Sequence, residues 1–230
     1  MNRKLPSVIS NFNTNITDLE SNLSDYLEKT SEIGKLFGGP SIYFHKEAIN
    51  EIKINFLEKR HIDMIYAMLP AWGMHRMGEE TKTKIVNYEK FISQINKIKP
   101  KLFEYKNKHI SEVSINELLI LLTQLHVSIS NSFLVSSSKV LHHILPNLFP
   151  PIDRQYSIRF MQQKKGYFNN SAIQLDYEYE YAEIFLTEMV KFLIKYEDLM
   201  KKHLNKVFNT SITKIFDNLL MVYVKNNRKI

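Results

Sequence analysis

Apolar residues recur along this chain every three or four positions, the spacing that lays a stripe along one face of a helix. Leu19, Leu23, Tyr26 and Leu27 form the first stripe, and Thr17-Asp18-Leu19-Glu20 ahead of it has the pattern of a capping box. This predicts a helix that ends at Gly38-Gly39-Pro40, the clearest breaker in the chain. Ile49, Ile52, Phe56 and Leu57 predict a second helix over about 44–60. The stretch from about His61 to His75 is apolar nearly all round, which predicts a central helix, and Pro70 should kink it. Ile85, Tyr88, Phe91, Ile92, Ile95 and Ile98 predict a helix that stops at Pro100. Ser114-Ile115-Asn116-Glu117 is another capping box and opens a helix over 118–127.

Beyond it the pattern predicts a short helix over 138–145, a Pro-rich elbow over 146–151, and a helix opened by Asp153 and running towards Met161. The longest helix is expected over about 179–204 and the last over about 211–224. Only Tyr177, Tyr179 and Tyr181 alternate with charged residues, which is too little for a sheet, so they read as packing and rim hydrogen bonds. The expectation is an all-α fold of about nine to ten helices. Residues 1–230 read as one unit, with lobes at 60–145 and at 1–59 combined with 146–230.

Composition narrows this picture. With no cysteine among 230 residues, disulfides, a thiolate nucleophile and cysteine-ligated zinc are all excluded. No apolar run approaches the roughly 18 residues that span a bilayer, and MNRKLPSVIS at the start lacks a leader's long apolar segment. A cytoplasmic location is therefore expected. The net charge of +7 is uneven: residues 82–108 and 200–230 each carry +6, opposed by acidic stretches at 18–32 and 176–198. Two basic blocks make a footprint for a polyanion such as nucleic acid, or are solvated faces that keep helices soluble.

The common catalytic signatures are missing. No phosphate-binding glycine loop, GxSxG elbow or HExxH pair occurs. His142 and His143 are adjacent, so on a helix their side chains point about 100° apart and do not chelate an ion together. No metal site and no cofactor are expected.

The informative segment is LVSSSKVLHHILPNLFPPIDRQYSIRFM, Leu134 to Met161. Ser136, Ser137 and Ser138 would supply hydroxyls and free amides at a helix N-terminus, a place that grips a phosphate. Lys139 would fall in the first turn, where the helix dipole disfavours its charge. By themselves Asp153 reads as an N-cap and Lys139 as a solvated amine. Arg154 and Arg159 flank Asp153, as phosphate ligands or as ordinary neighbours.

On these residues the chain resembles the helix–hairpin–helix DNA glycosylase superfamily. Val135-Ser136-Ser137-Ser138-Lys139 stands where that family has Gly-Val-Gly-x-Lys, and Pro151-Ile152-Asp153 stands where it has a Pro-Val-Asp segment. Val135 and Ser137 replace its two glycines. Met68–Gly78 (MLPAWGMHRMG) and Ile212–Tyr223 (ITKIFDNLLMVY) are similar to the archaeal 8-oxoguanine glycosylase branch. The likeness extends loosely over 60–224, with motif content in 135–159.

The resemblance implies a two-lobed glycosylase-like fold and a DNA-binding, DNA-repair protein. In such a base-excision glycosylase/lyase, Lys139 would attack C1′ of a flipped damaged nucleoside and Asp153 would stabilise the cationic centre. Ser136, Ser137, Ser138, Arg154 and Arg159 would then hold nucleic acid, and Trp72 would stack on a base beside His75 and Arg76. His142 and His143 are further candidates for an imidazole near the reacting centre. DNA would be the partner, with no membrane. The alternative from the residues alone is a non-enzymatic helical protein that binds nucleic acid or another protein.

Overall fold

A computed structural model describes residues 5–33, 39–74, 85–129, 132–165, 168, 177–205 and 207–227. Among them are ten α-helices: α1 (Leu5–Ser21), α2 (Leu23–Ile33), α3 (Pro40–Ile54), α4 (Lys59–Leu69), α5 (Tyr88–Tyr105), α6 (Ile115–Gln124), α7 (Leu134–Ile144), α8 (Ser157–Gln162), α9 (Glu178–Lys201) and α10 (Ile212–Asn226). The fold is all-α, as the periodicity predicts. The described residues include one isolated β-bridge, between Ile85 and Ser128, and no helix long and apolar enough to cross a membrane. The expected breaker Gly38, together with His75, Arg76 and Gly78, lies outside the described residues.

α10 is the centre of the molecule. Every residue from Ile212 to Val224 is buried, so the helix is wrapped on all sides, by α2, α8 and α9 among others. The sequence had suggested α4 for that place. α4 does bury His61, Ile62, Ile65, Met68 and Leu69, but its other residues are only half-covered or, like Lys59, exposed. Aromatic rings fill the space around α10: Phe12 lies edge-on to Phe160 and parallel to Phe185, and Phe160 meets Tyr223 at 5.0 Å. On the other side α3 packs on α4 and α7, and α6 bridges α7 to α9.

Several boundaries differ from those predicted. α1 starts at Leu5 and passes through the expected capping box: the Thr17 hydroxyl donates backwards to the Asn13 carbonyl at 3.0 Å. Val8, Phe12, Ile16 and Leu19 form a buried stripe that extends the helix upstream. α5 does not stop at Pro100 but runs on to Tyr105, because Leu102 and Tyr105 continue the buried face of Phe91, Ile95 and Ile98. Pro100 itself is exposed, so its ring meets solvent.

Other local signals did form. The Ser114 box is complete, with the serine hydroxyl accepting from the Glu117 amide and Glu117 accepting from the Ser114 amide. Pro70, expected to kink a helix running to His75, instead marks the end of α4 at Leu69: Pro70–Met74 forms a wide helical turn in which Trp72 and Gly73 leave helical geometry. Gly73 has φ +78°, a conformation that costs glycine little.

Candidate functional site

A cavity of about 870 Å³ opens where six parts of the chain meet. They are the start of α3, the Pro70–Met74 turn, the segment before α7, α7 itself, the elbow at 151–156, and α10 with neighbouring Phe208. Lys139 from α7 and Asp153 from the elbow both line it. The elbow is held to α7 by a hydrogen bond from the Ile152 amide to the Ser138 hydroxyl at 3.1 Å. The two side chains that the resemblance paired therefore reach one space from adjacent segments.

Lys139 is only 8% exposed, and its ammonium donates to the Trp72 carbonyl at 2.9 Å. This contact fixes the amine against the wall of the cavity. Asp153 accepts from the Tyr156 amide at 2.6 Å, so one carboxylate oxygen orders the turn that precedes α8. α8 itself begins at Ser157, four residues later than the predicted start, because the chain first makes this Asp-capped turn.

The opposite wall contains a pair that the sequence did not mark. The Lys214 ammonium is 2.6 Å from Asp217 and 2.8 Å from the Asn218 side-chain oxygen, and both ions of the pair are almost fully buried. Lys214 also lies over the Phe208 ring at 4.2 Å. Its partner Asp217 has one oxygen in the ion pair and one buried without a hydrogen bond. Burial pushes the Asp217 carboxyl up to about 6; Lys214 opposes that shift and the nearby charge of Asp153 reinforces it. Lys139 is close enough to lower it as well. Two lysines and two aspartates thus line one partly enclosed space. Behind them a polar chain runs into the core, from Asn218 through Asn209 to Thr30.

The serines are placed differently from expectation. α7 begins at Leu134, so Ser136–Ser138 lie inside the helix and Lys139 is past its first turn. The Ser137 amide already donates to the Phe133 carbonyl at 2.8 Å, and the Ser137 hydroxyl to the Leu125 carbonyl. Ser136 lines the cavity, with its hydroxyl donating back to Phe133 at 3.2 Å; Ser138 is buried against the elbow. The Ser137 and Ser138 amides are therefore not free for a phosphate.

The helix N-terminus does hold an anion, but it is the chain's own. Glu178 at the start of α9 accepts from the Phe133 amide at 2.7 Å, from the Leu134 amide at 3.4 Å and from the Ser132 hydroxyl. No local pattern announces a cap that comes from 45 residues away.

The remaining candidates divide. Arg154 is exposed and lines the cavity, well placed at its rim. Arg159 is buried in α8 and is not among the lining residues. Trp72 lines the cavity, with its indole N–H donating to the Ser41 carbonyl at 3.2 Å. Its ring stacks on His45 at 5.3 Å, so the far side of the indole is already occupied. His142 and His143 are fully buried behind Trp72 and do not line the cavity.

No protein-family model matches the chain, and the searches of curated proteins and of solved structures likewise returned no match.

Proposed function

We propose that this chain is a DNA-binding protein of the glycosylase type that receives a flipped nucleotide in the cavity and acts on it through Lys139 and Asp153. The observation that carries this reading is the convergence of those two residues on one space of about 870 Å³. That volume lies within the roughly 300–1,000 Å³ typical of ligand pockets. Arg154 at the rim supplies a cation for a phosphate, and Trp72 with Phe208 supplies aromatic wall.

In this scheme the Lys139 amine, in its neutral form, forms a bond to C1′ as the glycosidic bond breaks, and the base departs with the bonding pair. The carboxylate of Asp153 supports the positive charge that develops at the sugar. The proton lost by the new ammonium passes to the departing base or to a carboxylate of the wall. Asp217, held at about 6, changes protonation near neutral pH and suits that role. Ring opening then leaves an iminium between Lys139 and C1′.

Borohydride reduces such an iminium to a stable amine, which gives the test. DNA carrying an abasic site or a damaged base should become covalently attached to the protein under borohydride, and Lys139→Gln should abolish the adduct. Absence of an adduct on every substrate rejects the enzymatic reading. One observation favours a second reading, a binding protein without catalysis: the three serine hydroxyls and the Ser137 amide, which would grip a duplex, are consumed by internal hydrogen bonds. In that case DNA affinity should still fall steeply with salt, because phosphate contacts release counterions, while no adduct forms.

A further inference from the structure

Behind the Trp72 wall, α3 brings His45 to the adjacent His142 and His143 of α7, 98 residues from His143 along the chain; although adjacency on a helix argued against a shared ion, both rings offer a nitrogen to the same space. All three are buried, and one ring nitrogen from each lies within 4.8 Å of the others. We infer that His45, His142 and His143 form a binding site for one divalent late first-row transition-metal ion of the zinc type.

The hydrogen bonds fix where the lone pairs are. His142 Nδ1 faces the Phe149 carbonyl at 2.8 Å, and His143 Nδ1 faces the Lys139 carbonyl at 2.7 Å. A carbonyl only accepts, so both Nδ1 atoms carry hydrogen and both Nε2 atoms carry a lone pair. The Nε2 of His142 is buried and has no hydrogen-bond partner. The Nε2 of His143 accepts from His45 Nδ1 at 2.9 Å, and His45 Nε2 lies 3.3 Å from the Thr210 hydroxyl. Moving one proton within the His45 ring, from Nδ1 to Nε2, turns that hydroxyl into an acceptor and frees a third lone pair.

This is the outer arrangement that metal-bound histidines use: the ring nitrogen opposite the metal donates to a backbone carbonyl and sets tautomer and orientation. A fourth histidine reinforces it. His61 Nε2 lies 2.8 Å from the His143 carbonyl, while its Nδ1 accepts from the Leu57 amide. Tetrahedral zinc with bonds of about 2.0 Å sets its nitrogens about 3.3 Å apart, so the His45–His143 pair at 2.9 Å has to open slightly and the wider separations, which reach at most 4.8 Å, have to close on the ion. Burial holds all three imidazoles in the neutral form that ligates, well below their ordinary value. Imidazole ligands without a carboxylate select zinc, cobalt, nickel or copper over magnesium or calcium. Lys214, whose charge reaches each ring, works against any cation here and sets a limit on affinity.

Metal occupancy does not depend on the DNA reading, and each stands or falls alone. The test uses EDTA-treated full-length chain incubated with zinc or cobalt(II) until readings are constant. One ion per chain is expected, with the strong visible bands of four-coordinate cobalt and a higher melting temperature in zinc than in EDTA. Calorimetric enthalpies should not vary with buffer, because the ligands are already neutral and no proton is released. His142→Leu removes the nitrogen without a partner, and the Thr213 hydroxyl, which lies between the Pro146 and Phe149 carbonyls, is within reach of the Phe149 oxygen that loses its imidazole donor, so this variant should fold. It should lose at least about 100-fold in zinc affinity and the melting shift, whereas exposed His126→Gln should keep both. No one-to-one binding by the unmodified chain, octahedral cobalt only, or unchanged binding by His142→Leu would overturn the assignment.

Discussion

Asp217 and the buried histidines carry opposite pH dependences, and their balance decides how the fold responds to acid. His143 is held at about 3 against an ordinary 6.5, chiefly by burial, and His45, His61 and His142 are lowered for the same reason. The unfolded chain takes up these protons first, so the stability they confer is complete above 6.5 and is lost as pH falls through that range towards about 3. Asp217 works the other way: raised from 3.8 to about 6, it binds its proton more readily when folded. Its favourable share is complete below 3.8 and disappears as pH rises through about 6. Four histidines against one aspartate predict that the metal-free protein loses stability below pH 6.5, measured by urea unfolding across pH. Asp217→Asn should be less stable at pH 7 by about 3 kcal/mol, because it leaves Lys214 buried without its counter-charge. It should also lose stability more steeply in acid, since the compensating group is gone. A flat profile in either protein contradicts this account.

At the scale of elements, helix existence was legible and helix ends were not. The stripes that predict α2, α4, α5 and α6 are largely those that the fold buries, because a helix is held mainly by its packed face, whereas α3 buries His45, Ala48 and Glu51 and leaves Ile49 and Ile52 half-covered. Ends depend on partners that are remote in sequence. The sequence places the start of α7 four residues late because its cap, Glu178, comes from α9, and the pattern at Thr17 predicts one helix start where the chain instead ends α1 at Ser21 and begins α2 at Leu23, so α1 is not foreseen. Pro100 is the clearest case: packing carries α5 through a residue that removes a backbone donor and crowds the preceding turn. The local cost remains in the folded state. Pro100→Ala should therefore raise stability by about 1–3 kcal/mol, read as a shift in the urea midpoint at unchanged slope. A destabilised variant would mean that Pro100 fits α5 without strain. The candidate site follows the same division. Lys139 and Asp153 were legible because a motif-bearing segment holds both, whereas Lys214, Asp217 and His45 reach their places only through the packing of α10 and α3.

Across the whole molecule, one apolar core surrounds α10, and two groups of buried polar side chains interrupt it around Trp72. One is the cavity with its two lysines and two aspartates; the other is the histidine cluster behind it. Trp72 stands between them, with the cavity on one side and His45 and His143 against its ring. It is also the single tryptophan of the chain, so its emission reports on this wall alone. If a nucleotide enters the cavity, saturating DNA that carries an abasic site should change Trp72 emission in step with binding followed by anisotropy of labelled DNA. Undamaged duplex, bound only through phosphates, should change it far less. DNA that binds with high affinity yet leaves Trp72 emission unchanged would place the contact elsewhere and contradict the account.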